Sequence, residues 1–380
     1  MEYVNLRDIC KINMGQSPES ASYNSDKQGV PFYQGNADFG ALYPNPRIWC
    51  NKPIKLAKEN DILISVRAPV GALNFSKEEC CIGRGLAAIT LDSNDFLLEF
   101  IYWSLRTGVK ELQSKSTGST FKSINKKTLE EVRIPKISLK EQKDIIRNLT
   151  LLTNILAKYK HEIVFLDELV KARFVEMFGD PITNDMLWNT VKLNDVCYGI
   201  GDGLHGTPEY DEYGDYPFIN GNNLKNGMIE ITPSTKMVNE DIYRKYFIKL
   251  TENTILLSIN GTLGNLALYN GEKVVLGKSA CYCNLIPDIN RIFVCSVMKT
   301  DAFSNFLESN ATSSTIKNIG LKVIREFELI VPPLELQNQF ASFVQEIDKS
   351  RSRIQKSLEA SQELFDSLMQ EYFGLTEIFG

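Results

Sequence analysis

Two histidines among 380 residues leave little for metal binding or acid–base chemistry. The eight cysteines form no C-x-x-C pair, and adjacent Cys80 and Cys81 are poorly placed to anchor a disulfide framework. Neither a zinc site nor a bridged secreted scaffold is expected; reduced thiols in a cytoplasm are. No apolar run is long enough to cross a bilayer, and the opening MEYVNLRDIC has no apolar core, so no membrane span or secretory signal is expected. Excess positive charge is missing too. Against 47 Asp and Glu stand 42 Lys and Arg, a net charge of −5, so any nucleic-acid affinity must come from local clusters. There is no Walker sequence, H-E-x-x-H or G-x-S-x-G, and the one Pro-Pro pair, Pro332-Pro333, lacks the flanks of a methyltransferase Asn-Pro-Pro-aromatic motif. Gly201 to Gly206 formally spells G-x-G-x-x-G, but Thr207 and Pro208 follow where a dinucleotide site needs a helix. His161 falls on a solvated helix face, and His205 has no evident partner. No catalytic constellation emerges.

What is present is ordinary soluble composition, 43% hydrophobic and 23% charged, in a chain long enough for two or three domains. Its organisation is a repeat. SINKKTLEEVRIPKISLKEQ, from Ser123 to Gln142, returns as NIGLKVIREFELIVPPLELQ, from Asn318 to Gln337. YVNLRDIC at Tyr3 matches TVKLNDVC at Thr190, and VPFYQGN at Val30 matches YPFINGN at Tyr216. ENDILISVRAPVG at Glu59 matches ENTILLSINGTLG at Glu252, STFKSI at Ser119 matches STIKNI at Ser314, and ELVKARFVEMFG at Glu168 matches ELFDSLMQEYFG at Glu363. These matches are collinear, with offsets drifting only between about 186 and 195, which marks a tandem duplication.

Each copy opens with about 135 to 145 residues of short β-type runs, such as ILISV and ILLSI, broken by Gly, Asn, Pro and Ser. Each then enters a long helix. From Leu139 to Phe178 there is no Pro or Gly. Ile145, Leu149, Leu152, Leu156, Tyr159, Ile163, Leu166, Val170 and Met177 keep 4-3 spacing, broken only at Arg173, which is a coiled-coil seam. Such a helix is roughly 60 Å long. The second copy carries Leu336, Phe340, Phe343, Ile347, Ile354, Leu364 and Leu368, interrupted by Ser350, Ser357 and Ser361. A lone stripe of this kind has nothing to bury itself against, so the two helices are expected to pair, antiparallel if the copies are related by a pseudo-twofold. The fold class is thus α+β (mixed α/β): two duplicated globular parts and a two-helix antiparallel coiled coil. The alternative is that each helix folds back on its own domain.

Polar and cationic loops recur at equivalent places. Between Lys110 and Lys136 lie seven Lys or Arg against three Glu, and SKSTGSTFKSINKK combines hydroxyls, glycine and lysine as a phosphate-gripping loop does. Its counterpart SNATSSTIKNIGLK carries Lys317 and Lys322. Gln34-Gly35-Asn36 and Asn220-Gly221-Asn222 place amides beside glycine after an apolar strand, and Arg67 and Arg84 add guanidinium groups. Amides suit adenine and Arg suits guanine.

These residues carry a resemblance. The block STGSTFKSINKKTLEEVRIP, the junctions IP-x-I-x-LKEQ and VPP-x-ELQ, the helices ending in EMFG and EYFG, and the doubling of the whole are similar to the DNA-specificity subunit of type I restriction-modification enzymes. The departures are the serine-interrupted second seam and IPKIS where the second copy has VPPLE. The resemblance implies target-recognition domains at 1–137 and 189–334, helices at 138–178 and 335–374, a linker at 179–188 and a tail at 375–380. It implies that each domain reads one half of a bipartite, asymmetric double-stranded DNA site and that the coiled coil sets the gap. It further implies a non-catalytic chain seating two methyltransferase subunits, with restriction and translocase subunits joining through them. S-adenosylmethionine, ATP and Mg2+ would then belong to the partners, and this chain would hold no cofactor or metal. The DNA-contacting candidates are Gln16, Ser17, Gln34, Asn36, Arg67, Arg84, Lys115, Ser119, Thr120, Lys122 and Lys126 in the first copy. In the second they are His205, Thr207, Asn220, Asn222, Asn260, Lys278, Ser314, Thr315 and Lys317. A stand-alone DNA methyltransferase or nuclease, and a coiled-coil scaffold without DNA, are the alternatives.

Overall fold

The repeat in the sequence reappears as two sheets with the same strand order. The computed structural model describes residues 2–114, 123–313 and 316–374. They fall into two units, Met1–His161 with Gln355–Gly380, and Glu162–Ile354.

In the first unit an antiparallel sheet runs in the order Cys10–Met14, Leu86–Leu91, Ile62–Ser65, Leu73–Phe75. Its central strand, ILIS, is buried at all four positions, so both faces are covered. The two-residue period of a strand divides its side chains. Ile62 and Ile64 join the main core with Phe100 and Trp103 of the helix Leu98–Thr107, while Leu63 packs with Tyr33, Ile82 and Leu86 on the other side. The second face belongs to a mixed sheet in which Val30–Tyr33 runs parallel to Cys80–Ile82. The second unit repeats this with Cys197–Asp202, Ala280–Leu285, Thr254–Ser258 and Leu266–Leu268. Here Tyr216–Ile219 runs parallel to Val275–Leu276, and Ile255 and Leu257 face one cluster while Leu256 faces the other. In each copy the first strand pairs with the last before the helix: Tyr3–Asn5 with Arg133–Pro135, and Thr190–Lys192 with Glu328–Ile330.

The long helices span Leu139–Phe178 and Leu334–Phe373. The glutamine that ends each repeated junction is fully buried in the first helical turn. Gln142 accepts the Leu97 N–H (2.8 Å) and donates to the Asp95 and Ile137 carbonyls (2.9 and 3.0 Å). Gln337 accepts the Asn290 N–H (2.9 Å) and donates to the Pro332 carbonyl (2.7 Å). Each glutamine bolts the helix start to its domain. The junctions differ just ahead of it. Ser138 and Glu141 form a reciprocal capping box, and Ser138 holds the Glu141 carboxyl below its usual range. The second copy instead has Pro333, whose fixed φ and missing N–H suit a helix start. At the other end, Gly179 (φ +74°) and Gly374 (φ +65°) close EMFG and EYFG in the left-handed conformation, donating N–H to Val175 O and Gln370 O (both 2.8 Å).

Within each unit the helices lie antiparallel. In the first, Asn148 donates to Tyr372 Oη at 3.1 Å; in the second, Asp167 pairs with Arg351, and Phe174 and Phe178 pack edge-to-face against Phe340. Ile145, Leu149, Leu152 and Leu156 are buried, while Tyr159, Ile163, Leu166 and Val170 are half-buried. The break at Arg173 is filled by its guanidinium lying over the Phe343 ring (5.9 Å) and bonding Glu176. On the second helix Phe340 is buried, and Phe343, Ile347, Ile354 and Leu368 are half-buried. Leu364, expected in the seam, is instead 50% exposed. The contact row steps by sevens through Val344, Arg351, Leu358, Phe365 and Tyr372, and Leu364 falls one position short of it. Phe365 takes that place.

The helices do not simply fold back on their own domains. The first unit's core is completed by Phe365, Met369 and Phe373 from the end of the second helix, and the second unit's by Phe174 and Phe178 from the end of the first. Phe373 packs on Phe100 at 5.4 Å, and its counterpart Phe178 packs on Phe293 at 4.9 Å.

Candidate nucleic-acid interface

Both units carry a concavity built by the same three segments. In the first unit the strand Val30–Tyr33 buries Pro31, Phe32 and Tyr33, then breaks into a turn at Asn36–Asp38. The Asp38 carboxylate, balanced by Arg47, accepts the Gln34 N–H at 2.8 Å, so Gln34 and Asn36 stay on the rim while the turn is held from beneath. The second unit does this with an amide: Asn223 Oδ1 accepts the Asn220 N–H at 3.0 Å. The second segment follows the central strand. Ser65 Oγ donates to Pro69 O at 2.7 Å, tightening the turn that presents Arg67, as Ser258 does through Thr262 O for Asn260. Arg67 bridges to Ser123, and Asn260 to Asn318. The third segment leads into the strand beside it and carries Arg84 in one unit and Lys278 in the other. Gly85 is confined here because a Cβ would meet Gln34 O at 2.3 Å.

Ser17, Gln34, Asn36, Arg67 and Arg84 therefore converge on one surface, together with Gly35, Ala68 and Gly85. Asn220, Asn222, Asn260 and Lys278 converge on the other, together with Gly261, Thr262 and Ser279. Residues distant in sequence meet, 59 positions apart in the Ser279 Oγ to Asn220 Oδ1 bond of 3.0 Å and 67 apart where Ser17 Oγ accepts the Arg84 N–H at 3.3 Å. These segments, with Ser17 in the first unit, supply amides, hydroxyls and cations to an open surface, an arrangement able to hydrogen-bond the edge of a planar polar group.

Other candidates lie elsewhere. Gln16 sits beside this surface without lining it, its N–H bonded to Ile82 O at 3.0 Å. Lys126 is exposed on the helix Lys126–Glu130 and pairs with Glu130 at 3.5 Å. The Lys317 side chain is exposed, and its carbonyl accepts the Gly261 N–H at the rim. Thr207 is exposed on the loop after Asp202. His205, expected to lack a partner, has one: its Nε2 is 2.8 Å from Asp202 Oδ2. The pair is local, three residues apart in the bend after a strand, where sequence alone does not show which side chains turn together. Lys115, Ser119, Thr120, Lys122, Ser314 and Thr315 lie outside the described residues. Thr262 and Ser279 were missed. Thr262 lies two residues after Asn260 and Ser279 directly after Lys278; Ser279 has glycine, Gly85, as its counterpart, so comparison of the copies gave it no weight.

Among the described residues no group of three or more His, Cys, Asp or Glu is placed to hold a metal ion, and no helix is long and apolar enough to cross a membrane. Burial pushes the Cys10 and Cys80 thiols up to about 12 and Cys81 to about 11, so these sulfurs stay protonated and poorly nucleophilic. The Gly201 to Gly206 run sits at the end of the strand Cys197–Asp202, and no α-helix follows it before Glu240 among the described residues.

Comparison with known proteins agrees with this double architecture. The family model of the type I restriction modification DNA specificity domain matches residues 1–164 and 186–362. A putative type I restriction enzyme MjaX specificity subunit of Methanocaldococcus jannaschii is 45% identical over 146 residues, 38% of this chain and 34% of that protein. The match thus spans about a third of that relative's length. The type I restriction enzyme EcoBI specificity subunit of Escherichia coli is 20% identical across 97% of this chain and 85% of its own. The crystal structure of a type I restriction-modification S subunit from M. genitalium shares the fold, with a TM-score of 0.62 over 98% of this chain and 96% of its own at 16% identity. Matched in both of its repeats, the chain belongs to the type I restriction-modification DNA-specificity family.

Proposed function

We propose that this chain is the DNA-specificity subunit of a type I restriction-modification complex. Each unit reads one half of a bipartite double-stranded DNA site through its three-segment concavity, and the paired helices set the gap between the halves. The observation that carries this reading is the repetition of one concavity with two different linings. An unselected pair of turns drifts apart, whereas here the supporting bonds are kept and the side chains that face outward are changed.

Exposed lysines such as Lys317 supply phosphate affinity that falls with salt. The rim amides and Arg67 and Arg84 supply discrimination, about 1–3 kcal/mol for each good bidentate contact. Joining two readings on one scaffold raises the effective concentration of the second after the first binds. The chain itself is non-catalytic and cytoplasmic in this reading. Adenine methylation belongs to two methyltransferase subunits seated on it, with restriction and translocase subunits beyond them, and S-adenosylmethionine, ATP and Mg2+ stay with those partners. Apolar side chains turned outward on the first helix, Leu151 in one unit and Val164 and Phe165 in the other, each more than half exposed, suit such docking.

The test is to sequence DNA methylated by the assembled complex. A single bipartite motif with unlike halves is expected, and no product from this chain alone with DNA, Mg2+ and S-adenosylmethionine. Product from the isolated chain, or methylation without a motif, overturns the reading.

A further inference from the structure

The Asn220 amide is held on one side by two independent contacts. The Ser279 hydroxyl oxygen accepts the Gly221 N–H at 2.9 Å, so its own proton is directed to Asn220 Oδ1 at 3.0 Å. The same Oδ1 lies against Gly277, where an added Cβ would stand 2.3 Å from it. With the amide oxygen wedged between a hydroxyl and a glycine backbone, Nδ2 and its two protons are the part left to face the concavity. Among the described residues Nδ2 donates no hydrogen bond. Lys278, which has no acceptor, lines the same surface.

We infer that Asn220 reads its base as a donor, with Ser279 and Gly277 as positioning residues. The inference rests on the proposed DNA-reading role and sharpens it. An amide with both ends free fits adenine, giving one hydrogen bond and taking one. An amide whose oxygen is occupied needs acceptors, and guanine presents two adjacent ones, O6 and N7, in the major groove. Cytosine presents an amino donor there, adenine sets its amino group beside N7, and thymine offers a single acceptor, O4, next to its methyl group, so all three are disfavoured against the paired acceptors of guanine. The second half-site therefore carries a guanine at the position Asn220 contacts.

The experiment uses the complete complex and a DNA library randomised across the second half-site, with the first half-site fixed. Binding selection yields a base preference at each position for the parent, Asn220→Asp, Ser279→Ala and Ser279→Thr. Asn220→Asp is nearly isosteric and replaces the outward donor by an acceptor. Its expected effect is a loss of the guanine preference at one position by about tenfold or more, turning toward a base with an amino group. Ser279→Ala relaxes the same position, Ser279→Thr restores it, and the other positions do not change. Because preference at one position is read against the others, a general loss of stability or affinity does not imitate this pattern. A parent preference for adenine, cytosine or thymine at the position that Asn220→Asp alters overturns the inference, as does an unchanged profile for both Asn220→Asp and Ser279→Ala. A parent complex with no preference anywhere in that half-site overturns the DNA-reading role itself, a distinguishable result.

Discussion

Set side by side, the two concavities differ at their rims and agree underneath. The first presents Gln34, Arg67 and Arg84 around about 290 Å3; the second presents Asn220, Asn260 and Lys278 around about 500 Å3. Shorter side chains at all three equivalent positions accompany the wider space. Beneath, Asp38 and Asn223 cap the same turn and Ser65 and Ser258 tie the same loop. Where a turn must be held, the chemistry is kept; where a group faces outward, it is free to change. Even the amides differ in freedom. Among the described residues Gln34 has no hydrogen-bond partner for its side chain, whereas Asn220 is pinned by Ser279.

The largest effects come from breaking the shared scaffold. Phe178→Ala and Phe373→Ala each remove a fully buried ring from equivalent positions, at a cost of about 3–5 kcal/mol. Phe178 sits against Phe174, Phe293 and Phe340, so its truncation is expected to be the costlier in denaturant titrations. Next come the junction glutamines. Gln142→Leu strands one N–H and two carbonyls, and Gln337→Leu one of each. At about 1–3 kcal/mol for a buried unpaired group, Gln142→Leu is expected to lower the unfolding midpoint further than Gln337→Leu.

Rim exchanges sharpen the comparison without touching the scaffold. Arg67→Asn combined with Arg84→Lys gives the first concavity much of the second's lining. The methylated motif should then change in the first half alone, losing discrimination on the order of 1–3 kcal/mol per lost contact. Lys317→Ala should weaken binding to all sequences alike and reduce the salt slope by about 0.9 in an equilibrium titration.

The smallest effect separates the two helix starts. Glu141 has its pKa lowered by Ser138, so its contribution is present above the ordinary carboxylate range and is lost as the pH falls through the lowered value. Ser138→Ala should destabilise the first unit at neutral pH, with the difference from the parent narrowing on acidification. Substitution of Pro333 should show no such narrowing.

Much of this was legible in the sequence because it was written twice. The central strands, the junction glutamines and the converging positions 34, 67 and 84 all have counterparts at matching offsets. What was not legible had no second copy or no unique register. Serines at 350, 357 and 361 leave two ways to draw the second seam, and only packing selects Phe365 over Leu364. Ser279 faces a glycine in the other copy, and the His205 to Asp202 contact depends on the path of one bend. The aromatic residues at the helix ends fall outside both seams, and their partners, Phe100 and Phe293, lie on other elements.

The helix that completes the first unit comes from residues 355 onward, while the second unit draws only on residues 162–354. On the ribosome, the half that is translated earlier is therefore finished later. A nascent chain halted at Ile354 already holds every residue of its second unit, yet Phe100 and Trp103 still wait for the rings of Phe373 and Phe365.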